Sequence, residues 1–270
     1  MKRVAVSGAF DDLRSRQIRL LEEASRLGEL HVLLWSDRSV AALTGRDPEF
    51  PQQERLYLLE AIRYVDRVTI EEPEDADTLP LPDQAVPDVW VTDEADHSVA
   101  RQSYCDARGL ECQALTRADL EGFPPLQSGD EDPSRKKVIV TGCFDWFHSG
   151  HVRFFEEVSE LGSLYVAVGN DENVRHLKGG EHPMYPQDER RYVVQSVRHV
   201  SRAMITSGTG WMDAEPEIER YRPDIYAVNE DGDKPEKRAF CERHGLEYVV
   251  LERTPREGLQ RRTSTDLRGF

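Results

Sequence analysis

VIVTGCFDWFHSGHVRFFEEVSELGSLYVAVGND, residues 138–171, sets the apolar run Val138-Ile139-Val140 directly before a glycine turn, two histidines three positions apart and a helix-period segment. The run has little polar alternation, as expected of a strand covered by helices on both faces. Val152, Phe155, Val158 and Leu161 recur at spacings of three and form the apolar face of the following helix, with Glu156, Glu157 and Glu160 on its solvated side. Strand, tight turn, then His148 and His151 on the first helical turn direct cation-capable side chains and backbone N–H groups at one point. Such a point suits a phosphate.

The same pattern occurs earlier in the chain. Residues 4–37, VAVSGAFDDLRSRQIRLLEEASRLGELHVLLWSD, align without a gap at an offset of 134, so Phe10 falls on Phe144. The repeat continues with 50–68 against 185–203 at an offset of 135 and 87–96 against 223–232 at 136, and Cys105 corresponds to Cys241. A repeat of this length reads as a duplicated domain. In the first copy Arg14, Arg16 and Gln17 stand where His148, Gly150 and His151 stand in the second. The first half is therefore expected to have lost the chemistry.

Each half alternates apolar runs with helical segments: Val4–Ser7, Ile18–Leu27, Leu30–Trp35 and Glu54–Tyr64, then Val138–Thr141, Val152–Leu161, Leu164–Val168 and Glu189–Val200. This is the βαβα order of an α/β chain holding two Rossmann-like, doubly wound parallel-sheet domains in tandem. The expected bounds are 1–121 for a degenerate domain, 122–137 for a linker rich in Pro, Gly, Ser and charge, and 138–270 for the catalytic domain. The acidic, proline-rich stretch 71–87 reads as an exposed loop.

At 270 residues and 38% hydrophobic, the chain is long enough for two cores of this kind. No apolar run approaches the roughly 18 residues that span a bilayer, and no basic-then-apolar leader opens the sequence, so a soluble cytoplasmic protein is expected. A formal charge of −16 argues against a nucleic-acid partner, which needs cationic patches. The four cysteines, Cys105, Cys112, Cys143 and Cys241, include no C-x-x-C pair, so free thiols and no protein-held metal are expected. Cys143, inside the turn, reads as a small residue packed beneath it, against a redox or nucleophilic role.

Gly142, Phe144, Asp145, His148, Gly150 and His151 fill every fixed position of the G-x-F-D-x-x-H-x-G-H signature, and the second half resembles the cytidylyltransferase superfamily of nucleotidyltransferases on that ground. The resemblance implies transfer of a nucleotidyl group from a nucleoside triphosphate to a small phosphate ester, with Mg2+ carried by the triphosphate. His148 and His151 would stabilise the charge developing on the bridging oxygens, and alanine at either is expected to be nearly silent structurally yet severe kinetically. Lys178, in the L-K-G-x-x-x-P pattern, would bridge the α-phosphate and the incoming ester from a loop. Thr141, Gly142, Cys143, Phe144, Asp145 and Gly150 would cradle the nucleotide, and Asn229 and Asp231 in the segment VNEDGDKP match the strand-end position near ribose and base.

The C-terminal LERTPREGLQRRTSTDLRGF, 251–270, is similar to the second signature of that superfamily. Arg253, Thr254, Thr263, Ser264, Thr265 and Arg268 would bind the β- and γ-phosphates, although Pro255-Arg256 and Gln260-Arg261-Arg262 interrupt the spacing. Only about one helical turn fits the last residues, so a phosphate end that orders on ligand binding is expected. Three further residues have two readings each. Asp171 either lines the substrate site or caps a helix, as does Asp145; Arg190 faces the substrate or serves the fold; Trp211 covers a substituted ammonium group or packs in the core. The pairing of the two signatures favours CTP as donor. An adenylyltransferase acting on a sugar phosphate or similar acceptor is the alternative, and a non-catalytic nucleotide-binding or scaffold protein a second. The duplication also offers a pseudo-dimer within one chain, with a homodimer as the other possibility.

Overall fold

The computed structural model describes residues 1–81, 86–126 and 132–263. The chain divides into two compact units, Met1–Gly122 and Phe123–Phe270. In the first, β1 (Arg3–Gly8), α1 (Ser15–Ser25), β2 (Glu29–Trp35), α2 (Asp37–Thr44), α3 (Gln52–Glu60), β3 (Arg67–Glu71), β4 (Val89–Asp93), α4 (Val99–Arg108) and β5 (Glu111–Leu115) follow in order. The strands form one sheet, β3-β2-β1-β4-β5, in which every neighbouring pair is parallel.

The second unit repeats the plan with β6 (Lys137–Gly142), α5 (Ser149–Leu161), β7 (Ser163–Val168), α6 (Asp171–Lys178), α7 (Gln187–Gln195), β8 (Val200–Ile205), α8 (Glu215–Tyr221), β9 (Ile225–Asn229), α9 (Pro235–His244) and β10 (Glu247–Leu251). Its sheet runs β8-β7-β6-β9-β10, again all parallel. Both sheets thus reverse direction of winding beside their first strand, and a crevice opens there at the carboxyl ends of the strands. The α/β, tandem Rossmann-like architecture expected from the repeat is the one observed.

Burial follows the patterns that define the strands. Every residue of β7 is buried, and Ile139, Tyr165, Ala167, Tyr226 and Val228 join Ile218 and Phe240 in one cluster beneath the sheet. Ala5, Leu33 and Trp90 do the same with Cys105 and Leu110 in the first unit. The turn from α5 into β7 needs Gly162, because a Cβ there would collide with the Lys136 carbonyl oxygen; Gly28 stands in the same relation to Lys2.

Two expectations about elements need correction. Glu189–Val200 is not one helix: α7 stops at Gln195 and Val200 already begins β8. Residues 171–178 are helical, because Asn170 accepts the Asn173 N–H and starts α6, just as Ser36 accepts the Ser39 N–H and starts α2. Lys178 is therefore the last residue of a helix, not a loop residue.

Candidate active site

The turn after β6 is held in an uncommon conformation by its own side chains. Phe144 lies in the left-handed region at φ 52°, and Phe10, its counterpart, at φ 47°. A Cβ on Gly142 would sit 2.7 Å from Phe144 Cζ, so glycine is the residue that lets the ring fold back over the strand end. Asp145 ties the turn to the segment before α7: Oδ1 accepts the Met184 and Tyr185 N–H groups at 2.8 and 3.1 Å, and Oδ2 lies 3.3 Å from His182 Nδ1. Asp11 accepts from Glu49 and Phe50 in the same way.

Arg190 sits at 1% exposure and donates to Tyr185 O at 2.9 Å, Cys143 O at 2.6 Å, Gly169 O at 2.7 Å and Asp171 Oδ1 at 2.7 Å. Arg55 repeats this set on Phe50 O, Ala9 O, Trp35 O and Asp37. The substrate reading of Arg190 and Asp171 is thereby corrected, since the guanidinium is committed to carbonyls and its carboxylate partner to it. Together they brace the loops at the strand ends. Cys143 is half-buried on the cavity wall, and burial pushes its thiol pKa up despite the nearby Lys178 and Arg190, which disfavours the thiolate.

His148 is the N-cap of α5 and is 1% exposed. Its Nδ1 accepts the Gly150 N–H at 3.1 Å, so in the neutral ring the proton resides on Nε2, which becomes the donor. His151 stacks on it with ring centroids 4.0 Å apart, stacks on Phe147 at 5.5 Å and meets the edge of Phe144 at 5.2 Å. Its Nδ1 is buried with no hydrogen-bond partner. Burial first, then His148, Arg253 and Lys178, hold its pKa well below the ordinary value of 6.5, so the ring is neutral at pH 7. His148→Ala is consequently not silent structurally: it removes a helix cap, a loss of about 0.5–2 kcal/mol.

Gly150 lies between the two histidines in sequence, against the His148 ring. A Cβ there would meet His148 Cε1 at 2.9 Å and Nδ1 at 3.0 Å, with Arg262 O at 3.3 Å. Gly150→Ala should push the His148 ring off its cap and lower turnover by about 10²-fold, the loss usual for one displaced donor. Steady-state kinetics beside a melting curve would check it; full activity would mean that the ring position does not matter.

A cavity of about 190 Å³ opens beside this turn, with Thr141, Gly142, Cys143, Phe144, Asp145, His151 and Lys178 on one side and Asn229, Asp231 and Arg253 on the other. It continues past Phe154, Asn229 and Arg253 into a narrow cleft over the α5 N-terminus, lined by Gly150, Thr254, Arg256, Arg261 and Arg262. Backbone N–H groups and arginines there suit an anion. Carboxylates hold several of these cations meanwhile: Arg253 pairs with Asp231, Arg256 with Glu156 at 2.8 Å and Arg261 with Glu230 at 3.5 Å. Thr263 follows Arg262, whose carbonyl accepts from Arg253 at 3.0 Å. Ser264, Thr265 and Arg268 lie outside the described residues.

Trp211 is not brought to the cavity. It sits in the short 3-10 turn Gly210–Met212, 47% exposed, so neither its substrate reading nor its core reading holds. Lys237, Trp146, Phe154 and Met184 line the cavity without having been singled out by the motif. Lys237 lies on the inward side of α9, where burial lowers its pKa and its ammonium lies 5.9 Å from the Tyr226 ring centre.

Two parallel sheets of this order, with a glycine turn and a histidine-capped helix at the carboxyl edge of the second, define a nucleotide-binding protein of the nucleotidyltransferase class. The chain belongs to the Cytidylyltransferase-like family, whose profile matches residues 6–111 and 139–255. FAD synthase from Ferroglobus placidus is 39% identical over 97 residues, 36% of this chain and 60% of that protein. FAD synthase from Aciduliprofundum boonei is 35% identical over 118 residues, 43% of this chain and 76% of that one. The bifunctional protein HldE from Nitratiruptor sp. is 39% identical over 97 residues, 34% of this chain and 21% of that protein. A lipopolysaccharide core biosynthesis protein from Thermoplasma volcanium aligns with a TM-score of 0.39 and 23% identity, covering 46% of this chain and all of that one.

Proposed function

We propose that the second unit transfers a nucleotidyl group from a nucleoside triphosphate to a small phosphate ester. An acceptor phosphate oxygen forms a bond to the α-phosphorus, the bond from that phosphorus to the α–β bridging oxygen breaks, and pyrophosphate leaves. The observation that carries this reading is His151 on the wall of a cavity that also holds Lys178 and Arg253, with the buried N-cap His148 stacked directly behind it. Its Nε2–H makes His148 a donor toward phosphate oxygens. His151, neutral when no anion is near, gains a proton affinity from an adjacent triphosphate and so meets growing negative charge with a cation. Lys178 supplies a mobile point charge for the two phosphates that must approach one another.

ATP is the favoured donor, because relatives named FAD synthase make a product in which an adenylyl group is joined to a phosphate ester. CTP remains the second reading on the strength of the paired signatures at 142–151 and 253–268. Among the described residues no group of three or more His, Cys, Asp or Glu side chains could hold a metal ion. Asp145 and Asp231, which do line the cavity, already accept from Met184 and Tyr185 and from Arg253. Magnesium would arrive bound to the triphosphate, whose oxygens and water supply most of its ligands. Among the described residues, too, no helix is long and apolar enough to cross a membrane.

Pyrophosphate release with magnesium, ATP or CTP, and a panel of FMN, phosphorylated alcohols and sugar phosphates tests the proposal. Release is expected with one donor and one acceptor class, ATP being the stronger candidate. Nucleotide binding without release from any pair would leave the scaffold reading.

A further inference from the structure

The first unit keeps a cavity although its histidines are gone. It measures about 360 Å³ and lies at the carboxyl ends of β1 and β4, with Trp35, Gln17, Thr92, Asp77, Asp96 and Arg101 among its walls. That volume falls within the range of about 300–1,000 Å³ typical of small-molecule sites, and the position is the winding reversal at which such sheets bind ligands.

The cleft that suits an anion in the second unit, lined there by Gly150 and Asn229, is closed from within in the first. Arg16, in the place of Gly150, makes a bidentate pair with Asp93, in the place of Asn229, at 2.6 and 2.8 Å. Burial acts to raise the Asp93 pKa, but the Arg16 guanidinium and the Ala95 N–H together outweigh it and leave the carboxyl below its ordinary value. Arg14, in the place of His148, is tied to Asp12 at 2.6 Å, and Gln17 Oε1 accepts the Arg14 N–H at 2.9 Å. Asp77, Asp93 and Asp96 all line the cavity, with Arg101 the cation among its walls and Arg16 reaching Asp93 from beside it. A phosphate would enter a net negative site.

The opposite end is retained. Arg101 lies 4.7 Å over the Trp90 ring, as Lys237 lies over Tyr226 at the corresponding positions. It donates to Thr92 Oγ1 at 2.6 Å and Ala76 O at 2.8 Å, while its buried Nε has no hydrogen-bond acceptor and only approaches Asp77 at 3.5 Å. We infer that this cavity binds an uncharged nucleoside, base and sugar without phosphate. The assignment of the base end rests on the transfer reading of the second unit, whereas the exclusion of phosphate rests on the Arg16–Asp93 pair and the acidic lining of the first.

Hydrogen–deuterium exchange of the full chain, titrated with adenosine, cytidine, AMP and CMP, reads the two units separately by peptide. A nucleoside is expected to slow exchange in peptides covering 4–17 and 89–101, at least about tenfold more tightly than its monophosphate does there. In the double variant Arg16→Gly/Asp93→Asn, which installs the residues of the second unit, that preference should vanish. No protection of these peptides by either nucleoside, or equal protection by the monophosphate in the natural chain, would overturn the inference. Failure of nucleotides to protect 141–154 would instead count against the transfer reading.

Discussion

His151→Phe is expected to lower kcat for pyrophosphate release by about 10²–10³ while leaving stability at pH 7.5 unchanged or slightly higher. The rate loss is that of one positioned donor facing the displaced oxygen. The stability result follows from the packing: the ring lies among His148, Phe147 and Phe144, so another aromatic ring keeps the stack, and the substitution removes a buried nitrogen that has no partner. Acid conditions should separate the two proteins further. The folded-state pKa of His151 lies below its ordinary 6.5, so between those values the unfolded chain binds the extra proton. Stability from keeping this ring neutral is therefore complete above about pH 6.5 and is lost as pH falls toward the folded value, at up to about 1.4 kcal/mol per pH unit. His31 and His199, also lowered by burial, titrate in both proteins and cancel in the comparison. Urea midpoints at pH 7.5 and 5.5 for both chains check the sign. A variant as acid-sensitive as the natural chain would mean that His151 carries no such burden, and full turnover would remove it from the chemistry.

Arg190→Met should cost about 3–5 kcal/mol. The change strips the donors from three carbonyls, at residues 143, 169 and 185, and leaves the Asp171 carboxylate without its partner. The same cost is expected for Arg55→Met, although the unit that holds it has lost the histidines. Denaturant unfolding of both variants measures this directly. A near-normal midpoint for Arg190→Met combined with a raised KM would restore the substrate role that the geometry denies it.

That comparison shows what the sequence could and could not tell. The sheet order and its duplication were legible because Val138-Ile139-Val140 and Val4-Ala5-Val6 carry a local signal, and the histidines because they sit within one turn of each other. Arg190 was ambiguous for a physical reason: a guanidinium in a motif looks the same whether its five donors meet phosphates or carbonyls, and only the fold brings residues 143, 169 and 185 to it. Its survival as Arg55 in the eroded copy was the one hint. Lys178 was placed correctly in the chain but on the wrong element, because the Asn170 cap that makes α6 helical is a side-chain contact, not a hydrophobic period. Lys237 escaped because a lysine on a mostly polar helix carries no periodic signal of its own. Trp211 had the composition of a ligand contact without the position of one.

The central place of β1 and β6 in their sheets also orders events in time. Val4 pairs with Val89, and Val138 with Ile225, so each central strand waits for a partner more than eighty residues downstream. At ribosomal speeds of about 5–20 residues per second, β1 spends several seconds with one edge unpaired. The first sheet has all its strands once Leu115 has emerged, before Lys137 and the similar strand it opens leave the ribosome. Vectorial synthesis thus keeps VAVSG and VIVTG apart while each finds its neighbours. Refolding from denaturant offers both strands at once.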